Sequence, residues 1–519
     1  MPFSARLRGR RYFGADLAVV ATVALLTVVL AVLDSGNGDA APTPTARATV
    51  PGAATFAKTG ATVQPGFLGL SLEYPSIERY VGTDPRSLNP VFLRLVRALT
   101  PGQRPVLRIG GDSTDNTWYP VSGLTPPGGI RFTLSQRWFR VAKALTSALG
   151  ARLILGINFE ADSSELAAAE AQALVNNLGL GSVRALELGN EPELYSTFPW
   201  YRTADKQKVT GRSLSYDFTA FTNDFAAVAS SLPQVPLAGP AAGGTAWSDR
   251  LAEFLTAVPR VALVTLHKYP TQLCFTATKS LQYPSIAHLL APAASTGLAE
   301  GLAPYARTAH ARGKPLRIDE FNSVSCGADR KVSQTFASAL WAVDALFELA
   351  RVGIDGVNVH TFPNAGYELF SVQHAAAGWR ATVSPEYYGL RLFAQAAPAG
   401  SRLIRAASLR GGRVKLWATR AQSGQIRVTV INKGTAPITG LGVTIPGATG
   451  AATLTRLQAP SLTATSGVTL GGQSFAVPTS TGELAGNRST DTVKPSHGQY
   501  VIPLPAASAA LLTLPSANS

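Results

Sequence analysis

The chain has 519 residues, which is too long for one ordinary domain and predicts about two. Its formal net charge of +15 favours encounter with anionic partners such as uronic-acid sugars, nucleic acid or anionic lipid. An arginine-rich composition in which the charge has no role in binding would give the same value. The positive charge is spread thinly, with no Lys/Arg run interleaved with aromatic residues, so we predict no nucleic-acid partner.

The N-terminus predicts a membrane anchor or a signal peptide over residues 1–35. Four arginines lie within Met1–Arg11, and Leu17–Leu33 is uncharged and apolar apart from two threonines. That run is longer than a usual signal-peptide core and just reaches the length that spans a bilayer. We therefore favour an uncleaved anchor over a cleaved signal peptide. In both cases the arginines stay inside and the body is extracytoplasmic, either membrane-anchored or secreted.

Two short segments follow before the first large apolar pattern. Residues 36–52 are rich in Ala, Pro, Thr and Gly, which is typical of a flexible linker. Residues 53–66 have the pattern of an edge strand, and we expect this strand to join a C-terminal β-module.

Residues 67–395 alternate short apolar runs with helical patterns, which is typical of βα units around a parallel sheet. Eight strands are predicted, in the runs FLGLSLE, VLRIGG, RLILGIN, VRALELGNE, PLAGP, VALVTLHKY, PLRIDE and GVNVH. Helices are predicted at Leu93–Leu99, Ser135–Leu149, Ser164–Leu178, Tyr216–Ser231, Arg250–Ala257 and Ser333–Arg351. The pattern predicts an α/β fold of the (β/α)8 barrel type. A doubly wound open sheet is the alternative, but no Gly-rich phosphate loop supports it.

Residues 396–519 have a different pattern. Short alternating runs separated by Gly, Ser, Thr and Pro predict a β-sandwich. The runs are RVKLWAT, IRVTVINK, GLGVTIPG, ATLTRLQA, GQYVIPLP and AALLTL. No group of carboxylates stands out among them, so we expect this domain to support the barrel.

The stretch ALELGNEPELY, Ala185–Tyr195, ends a predicted strand in an amide and a carboxyl. Pro192 stops the strand and predicts an extended conformation for Glu191. Asn190 and Glu191 are thus expected at the carboxyl end of the fourth strand, where an α/β barrel carries its chemistry. A plain turn would explain this stretch equally well.

The stretch PLRIDEFNSVSC, Pro315–Cys326, repeats this design with Glu320 at the end of the seventh strand. Two glutamates at the ends of two strands are what a glycosidase needs. One carboxyl protonates the leaving oxygen, and the other attacks the anomeric carbon or activates water. Arg108, inside the second strand, could keep Glu320 ionised through a charge-assisted hydrogen bond.

Four motifs together carry a resemblance to a known family. LELGNEP, RIDEFNSVSCG, RIGGDSTDNTWY and GVNVHTFPNAGYELF resemble glycoside hydrolase family 79, the β-glucuronidase and heparanase group within the retaining barrel glycosidases. The resemblance covers roughly residues 60 to 515. It implies that Glu191 is the general acid/base and Glu320 the nucleophile. The implied reaction is hydrolysis of β-linked glucuronic acid by a retaining β-glucuronidase.

The resemblance also implies substrate contacts. Asn190 is expected to bind the sugar 2-hydroxyl, Tyr269 to donate to the nucleophile, and Asp115 to contact the distal hydroxyls, although Asp112 is close enough to be confused with it. His267 is expected at the barrel mouth, in direct contact with substrate or behind it. A uronate carboxylate would be received by Ser325, Cys326, Gly327 and Tyr367. Ser325 stands where the family often has tyrosine, so a neutral glycoside stays possible.

The chain contains two cysteines, Cys274 and Cys326, and each follows one of two successive predicted strands. In an exported protein these two residues predict a disulfide, with two free thiols as the alternative. No His/Cys spacing fits a metal site, and two carboxyls suffice for the reaction, so we predict neither metal nor organic cofactor. The expected partner is a carbohydrate with a terminal uronic acid. A non-catalytic polysaccharide-binding protein on a glycosidase scaffold is the remaining alternative class.

Overall fold

The computed structural model describes residues 46–49, 60–409, 412–445, 448–496 and 499–515. The predicted anchor at 1–35, most of the predicted linker at 36–52 and half of the edge strand predicted at 53–66 lie outside these residues. Among the helices of the described part of the chain, none is both long and apolar enough to cross a membrane.

The eight predicted strands form a closed parallel barrel, so the predicted fold class is confirmed. We label the barrel strands β1–β8 in chain order. They are β1 (Leu68–Leu72), β2 (Val106–Ile109), β3 (Arg152–Ile157), β4 (Val183–Leu188), β5 (Leu237–Ala242), β6 (Val261–Lys268), β7 (Leu316–Phe321) and β8 (Gly356–His360). Each strand pairs with its neighbours in chain order, and β8 closes on β1 through the pair Val357 and Leu68. The strands are almost continuously buried because helices cover the outside of the sheet and side chains fill its interior.

Helices surround the barrel, and several begin at side-chain caps that the sequence carries. Ser135 and Ser163 each accept a hydrogen bond from a backbone amide of the first turn that follows them. The helices are Ser76–Val81, Pro90–Leu99, Gln136–Leu149, Ser164–Leu178, Phe218–Ser231, Thr245–Ser248, Leu251–Ala257, Ile286–Leu290, Thr296–His310, Arg330–Ser333, Phe336–Arg351 and Pro385–Ala396, with single 3-10 turns at Pro192–Leu194 and Pro292–Ala294.

The helix Thr296–His310 was not predicted from the sequence. It contains Gly297, Gly301 and Pro304, which have low helix propensity and mask its periodicity. Its apolar side chains, including Leu302 and Ala306, are nevertheless buried. Packing against the barrel therefore outweighs the local propensity of this segment.

Four two-stranded ribbons extend the loops at the barrel ends. They pair Thr117–Trp118 with Phe132–Thr133, Tyr201–Arg202 with Lys208–Val209, Thr271–Gln272 with Val324–Ser325, and Phe370–Ala375 with Gly378–Val383. The third ribbon joins the loop after β6 to the loop after β7. The loop that follows Glu320 is thus held by a neighbouring loop.

The C-terminal residues form two β-sheets that share one apolar core. The larger sheet contains Arg402–Leu409, Val414–Arg420, Ile426–Asn432, Ala452–Gln458, Thr469–Leu470, Asp491–Val493 and Ser508–Thr513, and the smaller contains Ala46–Thr49, Ile438–Thr444 and Gln499–Leu504. Val428 from the larger sheet and Leu441 and Ile502 from the smaller belong to the same core. This packing is that of the predicted β-sandwich.

One strand of the sandwich lies before the edge strand predicted at 53–66. Ala46–Thr49, within the segment expected to be a linker, pairs in parallel with Ile438–Thr444 at the edge of the smaller sheet. Of the strand predicted at 53–66, the described end makes backbone contacts with the start of the larger sheet, where Thr62 bridges Arg402. The backbone of an edge strand offers unpaired donors and acceptors, and composition alone does not reveal that a Pro- and Thr-rich segment will use them.

The barrel and the sandwich are joined by a buried charged network. Lys433 Nζ lies 2.8 Å from Asp344 Oδ2, and Lys415 Nζ lies 2.6 Å from Glu348 Oε1. Both carboxylates belong to the helix Phe336–Arg351, and both lysines belong to the larger sheet or its following turn. The Trp417 indole donates to Asp344 Oδ1 at 2.9 Å. These contacts fix one side of the barrel on the sandwich.

Candidate active site

The carboxyl ends of the barrel strands bring the predicted glutamates together. Glu320 is the second-last residue of β7, and Glu191 follows β4 by three residues. A carboxylate oxygen of Glu191, one of Glu320 and a ring nitrogen of His267 all lie within 4.8 Å of one another. Two residues that are far apart in sequence thus face one point above the barrel.

The backbone of Glu191 is not extended, as the sequence predicted, but left-handed, with φ of +50° and ψ of +56°. A following proline disfavours the right-handed helical region, and the left-handed region is the conformation used here. The Glu191 amide donates to the Ala241 carbonyl of β5 at 3.0 Å, which stabilises this costly conformation. The result is a turn that directs the Glu191 side chain toward His267.

Gly189 is required immediately before this turn. It has φ of +76°, and a Cβ at this position would lie 2.3 Å from the Tyr195 hydroxyl. That hydroxyl accepts from the Asn190 amide at 3.1 Å and donates to Asp115 Oδ2 at 2.7 Å. A side chain on residue 189 would therefore displace the contacts that hold Asn190 and Glu191.

Arg108 lies inside β2 with its guanidinium fully buried. Its Nη1 donates to Glu320 Oε2 at 2.7 Å, its Nε donates to Glu187 Oε2 at 2.6 Å, and its Nη2 donates to Asn190 Oδ1 at 2.9 Å. One planar cation thus orients both Glu320 and the amide of Asn190. Because Asn190 uses its oxygen on Arg108, its Nδ2 is left to donate into the cleft.

Glu320 is held ionised by its surroundings. Burial by itself raises the pKa of this carboxyl, but the positive charges of His360 and Arg108 and the hydrogen bond from Tyr269 together hold the pKa well below its usual range. The Tyr269 hydroxyl donates to Glu320 Oε1 at 2.8 Å. Each oxygen of Glu320 therefore accepts at least one strong hydrogen bond.

His267 connects the two glutamates. Its Nδ1 lies 3.2 Å from Glu191 Oε1, and its Nε2 lies 3.2 Å from Arg108 Nη2. Because a guanidinium can only donate, Nε2 accepts from Arg108 and Nδ1 carries the proton donated to Glu191. His267 is buried behind Glu191, which places it behind the glutamates rather than at the open surface of the cleft.

The structure places Asp115 differently from the sequence expectation. Its carboxylate accepts from the amides of Phe159, Glu160 and Asn190 and from the Tyr195 hydroxyl, and the residue is buried. These four donors fill the carboxylate, so it fixes the loops after β3 and β4 instead of facing a sugar.

Asp112, three residues earlier, has the exposed side chain. Although the side chain is open to the cleft, the surrounding protein limits hydration of its carboxylate, and this, with the nearby carboxylates of Glu73, Glu320 and Glu191, raises the pKa of Asp112 to about 7. Of the two aspartates that the sequence could not separate, Asp112 is therefore the one that can contact substrate.

Two residues of the site were not selected from the sequence. Glu73 follows β1 directly, and His360 ends β8; the Nε2 of His360 lies 3.3 Å from Glu73 Oε1. Burial lowers the pKa of His360, but Glu320 and Glu73 outweigh it and the net shift is upward. Both residues stand at the carboxyl ends of predicted strands, so the positional rule that selected Glu191 and Glu320 could also have selected them.

The loop after β7 lies beside the nucleophile candidate. Cys326, Gly327 and Ala328 have φ of +63°, +89° and +63°, and a disulfide joins Cys326 to Cys274 with a Cα separation of 5.9 Å. In the described part of the chain, the amides of these three residues donate to no protein acceptor. Ser325 precedes them in the ribbon that joins the loops after β6 and β7.

Tyr367 is the last predicted contact, and it lies next to Tyr269. The two ring centroids are 6.1 Å apart, and the ring of Tyr367 also contacts His360 at 5.8 Å. The predicted residues Tyr269 and Tyr367 thus form one aromatic wall near Glu320.

Two clusters have the residue types of a metal site: Glu191, His267 and Glu320, and, beneath them, Glu187, His267 and Asp319. The guanidinium of Arg108 contacts a carboxylate of each cluster, at 2.7 Å from Glu320 and 2.6 Å from Glu187. A cation would therefore meet a fixed positive charge in both places, and the donor sets do not fit a resident metal.

Comparisons with known proteins agree with this architecture. Residues 416–511 match the sequence profile of the glycosyl hydrolase family 79 C-terminal beta domain, which confirms the predicted resemblance. No curated protein matches the chain in sequence.

Solved structures share the fold at low sequence identity. A 4-O-α-L-rhamnosyl-β-D-glucuronidase from Fusarium oxysporum 12S has 20% identity and a TM-score of 0.70, over 90% of this chain and 100% of that one. A GH51 arabinofuranosidase from Xanthomonas axonopodis pv. citri has 14% identity and a TM-score of 0.62, over 88% and 98% of the two chains. A family 51 α-L-arabinofuranosidase from Bifidobacterium longum has 15% identity and a TM-score of 0.61, over 91% and 100%. Taken with the barrel and its paired glutamates, these findings identify the chain as a glycoside hydrolase whose C-terminal β domain matches the C-terminal domain of family 79.

Proposed function

We propose that the protein is a retaining β-glucuronidase that releases β-linked glucuronic acid by double displacement. The observation that carries the proposal is that a carboxylate oxygen of Glu191 and one of Glu320 lie within 4.8 Å of each other. Retaining glycosidases hold their carboxyl groups about 5 Å apart, whereas inverting enzymes keep them at about 6.5–9.5 Å to admit a water molecule.

In the first step Glu320 attacks the anomeric carbon while Glu191 gives its proton to the glycosidic oxygen. Arg108 and Tyr269 aim the two oxygens of Glu320 and favour its ionised form. The His267 N–H occupies Glu191 Oε1, which leaves Oε2 to carry the transferred proton. The products of this step are the free leaving group and a glycosyl ester on Glu320.

In the second step Glu191, now ionised, removes a proton from water, and the water oxygen attacks the anomeric carbon. The ester bond to Glu320 breaks, and the sugar leaves with its original β configuration. The Nδ2 of Asn190, oriented by Arg108, donates to the sugar 2-hydroxyl in both transition states. These are the roles that the family resemblance implies for the same residues.

The glucuronate assignment is supported by the loop after β7. The amides of Cys326, Gly327 and Ala328, which donate to no acceptor among the described residues, are candidate donors to an anion, and the Tyr367 hydroxyl is the neighbouring candidate. The likeness to a structure described as a β-D-glucuronidase points in the same direction. The net positive charge of the chain would also favour approach of an anionic sugar.

Hydrolysis of a neutral β-glycoside is the second candidate. Asp112 and Glu73 place carboxyl groups in the cleft. These groups would repel the carboxylate of a uronate unless the amides after β7 hold that carboxylate away from them. Ser325 also supplies a smaller hydroxyl than the tyrosine often found in the family.

The test compares chromogenic β-glucuronide and β-glucoside substrates on wild type, Glu320→Gln and Glu191→Ala. We expect glucuronide turnover to fall by at least about 10³-fold in Glu320→Gln, and azide to restore turnover in Glu191→Ala as the β-glycosyl azide. Preference for the glucoside would assign the neutral activity instead. A first product with the α configuration, measured by proton NMR, would contradict the retaining mechanism.

The proposal includes an extracytoplasmic location, membrane-anchored or secreted. It is supported by the arginine-flanked apolar run before residue 36 and by the Cys274–Cys326 disulfide, which persists in oxidising compartments. Fractionation of cells that express the full chain tests it. Recovery of the protein in the cytoplasmic fraction with both thiols free would contradict it.

A further inference from the structure

We infer that an exposed aromatic pair, Phe198 and Phe275, binds the leaving group of the substrate and favours leaving groups that carry an aromatic ring. The inference rests on the proposed roles of Glu191 and Glu320. It adds a binding site for the part of the substrate beyond the scissile bond.

Both phenylalanines expose an unusually large part of their side chains. Phe198 is 53% exposed and Phe275 is 70% exposed, and their ring centroids are 6.3 Å apart at an interplanar angle of 64°. Leu273 and Leu281, on the same loop as Phe275, are also exposed. Apolar surface that is grouped in this way commonly marks a binding site, because leaving it in water is unfavourable.

Phe198 belongs to the turn that begins at Glu191. The Leu194 amide donates to the Glu191 carbonyl at 2.9 Å, and the Phe198 amide donates to the Leu194 carbonyl at 2.7 Å. Two successive backbone hydrogen bonds therefore fix the position of Phe198 relative to the residue that protonates the leaving oxygen.

Phe275 is tied to the loop that follows Glu320. Its neighbour Cys274 is bonded to Cys326, and the Leu273 amide donates to the Ser325 carbonyl at 3.5 Å. The Phe198–Phe275 contact consequently bridges the loops that follow the two catalytic glutamates. A leaving group that extends from the cleft over these loops would meet the pair.

The backbone of Phe275 has φ of +59°, in the left-handed region that aromatic residues rarely adopt. Such a conformation is unfavourable for a residue other than glycine and persists only where the surrounding structure enforces it. Here the ribbon at Thr271–Gln272 and the disulfide at Cys274 fix the chain immediately before Phe275.

The chemistry of the pair selects its occupant. Glu191 donates to the glycosidic oxygen, so the leaving group lies next to Glu191, whose turn carries Phe198. The two rings meet edge to face at 64° and form an apolar corner, which suits a further aromatic ring in offset or edge-to-face contact. We therefore assign an aryl-bearing leaving group in preference to a second sugar.

The experiment measures, by isothermal titration calorimetry, the dissociation constants of S-linked glycosides, which resist hydrolysis, from the full-length protein. Methyl and phenylethyl 1-thio-β-glycosides are compared within one sugar, as glucuronides and as glucosides. We expect the phenylethyl compound to bind about three- to tenfold more tightly than the methyl compound, which is the size of an aromatic contact. The ratio of the affinities of the phenylethyl and methyl compounds should fall to near one in Phe198→Ala and in Phe275→Ala.

Leu180→Ala is the matched control, because Leu180 is 65% exposed but precedes β4 at the opposite end of the barrel. It should leave the ratio unchanged. A ratio near one in wild type, or a ratio retained in both phenylalanine variants, would overturn the inference. If only the glucosides bind and still show the ratio, the glucuronate assignment fails while the aromatic site stands. If the variants weaken a thio-linked disaccharide but not the phenylethyl compound, the aromatic leaving group is wrong.

Discussion

Arg108 and Glu320 form a buried ion pair beneath the cleft, with Nη1 of the guanidinium 2.7 Å from Oε2 of the carboxylate. The same guanidinium donates to Asn190, which precedes Glu191 in the turn after β4. One side chain in the barrel interior thus couples the geometry of the nucleophile candidate to that of the turn carrying the acid/base candidate. This relation leads to the first prediction.

Replacing Arg108 by methionine should raise the pKa of Glu320, because one of the positive charges that lower it is lost. Glu320 must be ionised to attack. If its pKa is higher, the fraction of enzyme with an ionised Glu320 begins to fall at a higher pH as the solution is made more acidic. We expect the acidic limb of the pH profile of kcat/KM to move upward, with the largest loss of activity at acidic pH.

The control for this variant is Arg317→Met, which removes another fully buried barrel arginine. Arg317 donates to Gly66 and Phe67 carbonyls and does not contact Glu320. Its variant should lose stability without moving the acidic limb. An acidic limb that stays in place in Arg108→Met would contradict the assigned role of Arg108.

Tyr269→Phe removes the hydroxyl that donates to Glu320 Oε1 at 2.8 Å. A hydrogen bond to a charged group contributes about 1.5–3 kcal/mol, so we expect kcat to fall by about 10- to 100-fold with little change in the melting temperature. Tyr305→Phe is the matched control, because its hydroxyl donates to Asp249 at 2.6 Å on an outer helix. Equal losses of kcat in the two variants would show that the Tyr269 contact has no specific role.

Asp115 and Asp112 should respond differently to replacement by asparagine. Asp115→Asn brings an NH2 group against the N–H and O–H donors that now surround the carboxylate, and each donor left unpaired costs about 1–3 kcal/mol. We expect a lower free energy of unfolding and a lower kcat for every substrate. Asp112→Asn should leave stability nearly unchanged and alter KM.

The pH dependence separates these two aspartates further. The pKa of Asp112 is raised to about 7, so its charge changes near neutral pH. A KM that varies with pH in this range for wild type should become nearly constant in Asp112→Asn. A change of KM in Asp115→Asn with no loss of stability would restore Asp115 as the substrate contact.

Asp344→Ala should destabilise the contact between the barrel and the sandwich. It leaves the Lys433 ammonium, which is 1% exposed, without its partner, and breaking a buried pair on one side costs about 3–5 kcal/mol. Burial raises the pKa of Asp344, but Lys433 and Lys415 outweigh it and the net shift is downward. Its contribution to stability is therefore complete above the unfolded pKa of about 3.9 and is lost as the pH falls toward the folded value.

Urea unfolding of Asp344→Ala at neutral and acidic pH measures both effects. The difference from wild type should shrink at acidic pH, because wild type loses the ionised carboxylate there. Glu253→Ala removes an exposed ion pair with Arg250, which water and salt screen, and should leave the free energy of unfolding almost unchanged. A difference for Asp344→Ala that does not depend on pH would contradict the ionic origin of this contribution.

The sequence by itself determined the eight barrel strands, the sandwich and the two glutamates. Strand period, the Pro192 stop and the position of a carboxyl at a strand end are local features, and barrel closure converts such positions into neighbours around one cleft. Only the tertiary structure decided the left-handed turn at Glu191, which depends on the carbonyl of Ala241 in another strand.

The same distinction explains the reassignment of Asp115 to the loops and of Asp112 to the cleft, because the partners of each come from several strands. The helix Thr296–His310 and the strand Ala46–Thr49 likewise exist through packing and pairing with distant residues. Secondary-structure patterns depend on residues that are neighbours in the sequence. The burial, charge environment and hydrogen-bond partners of a side chain depend on residues that meet only after the chain has folded.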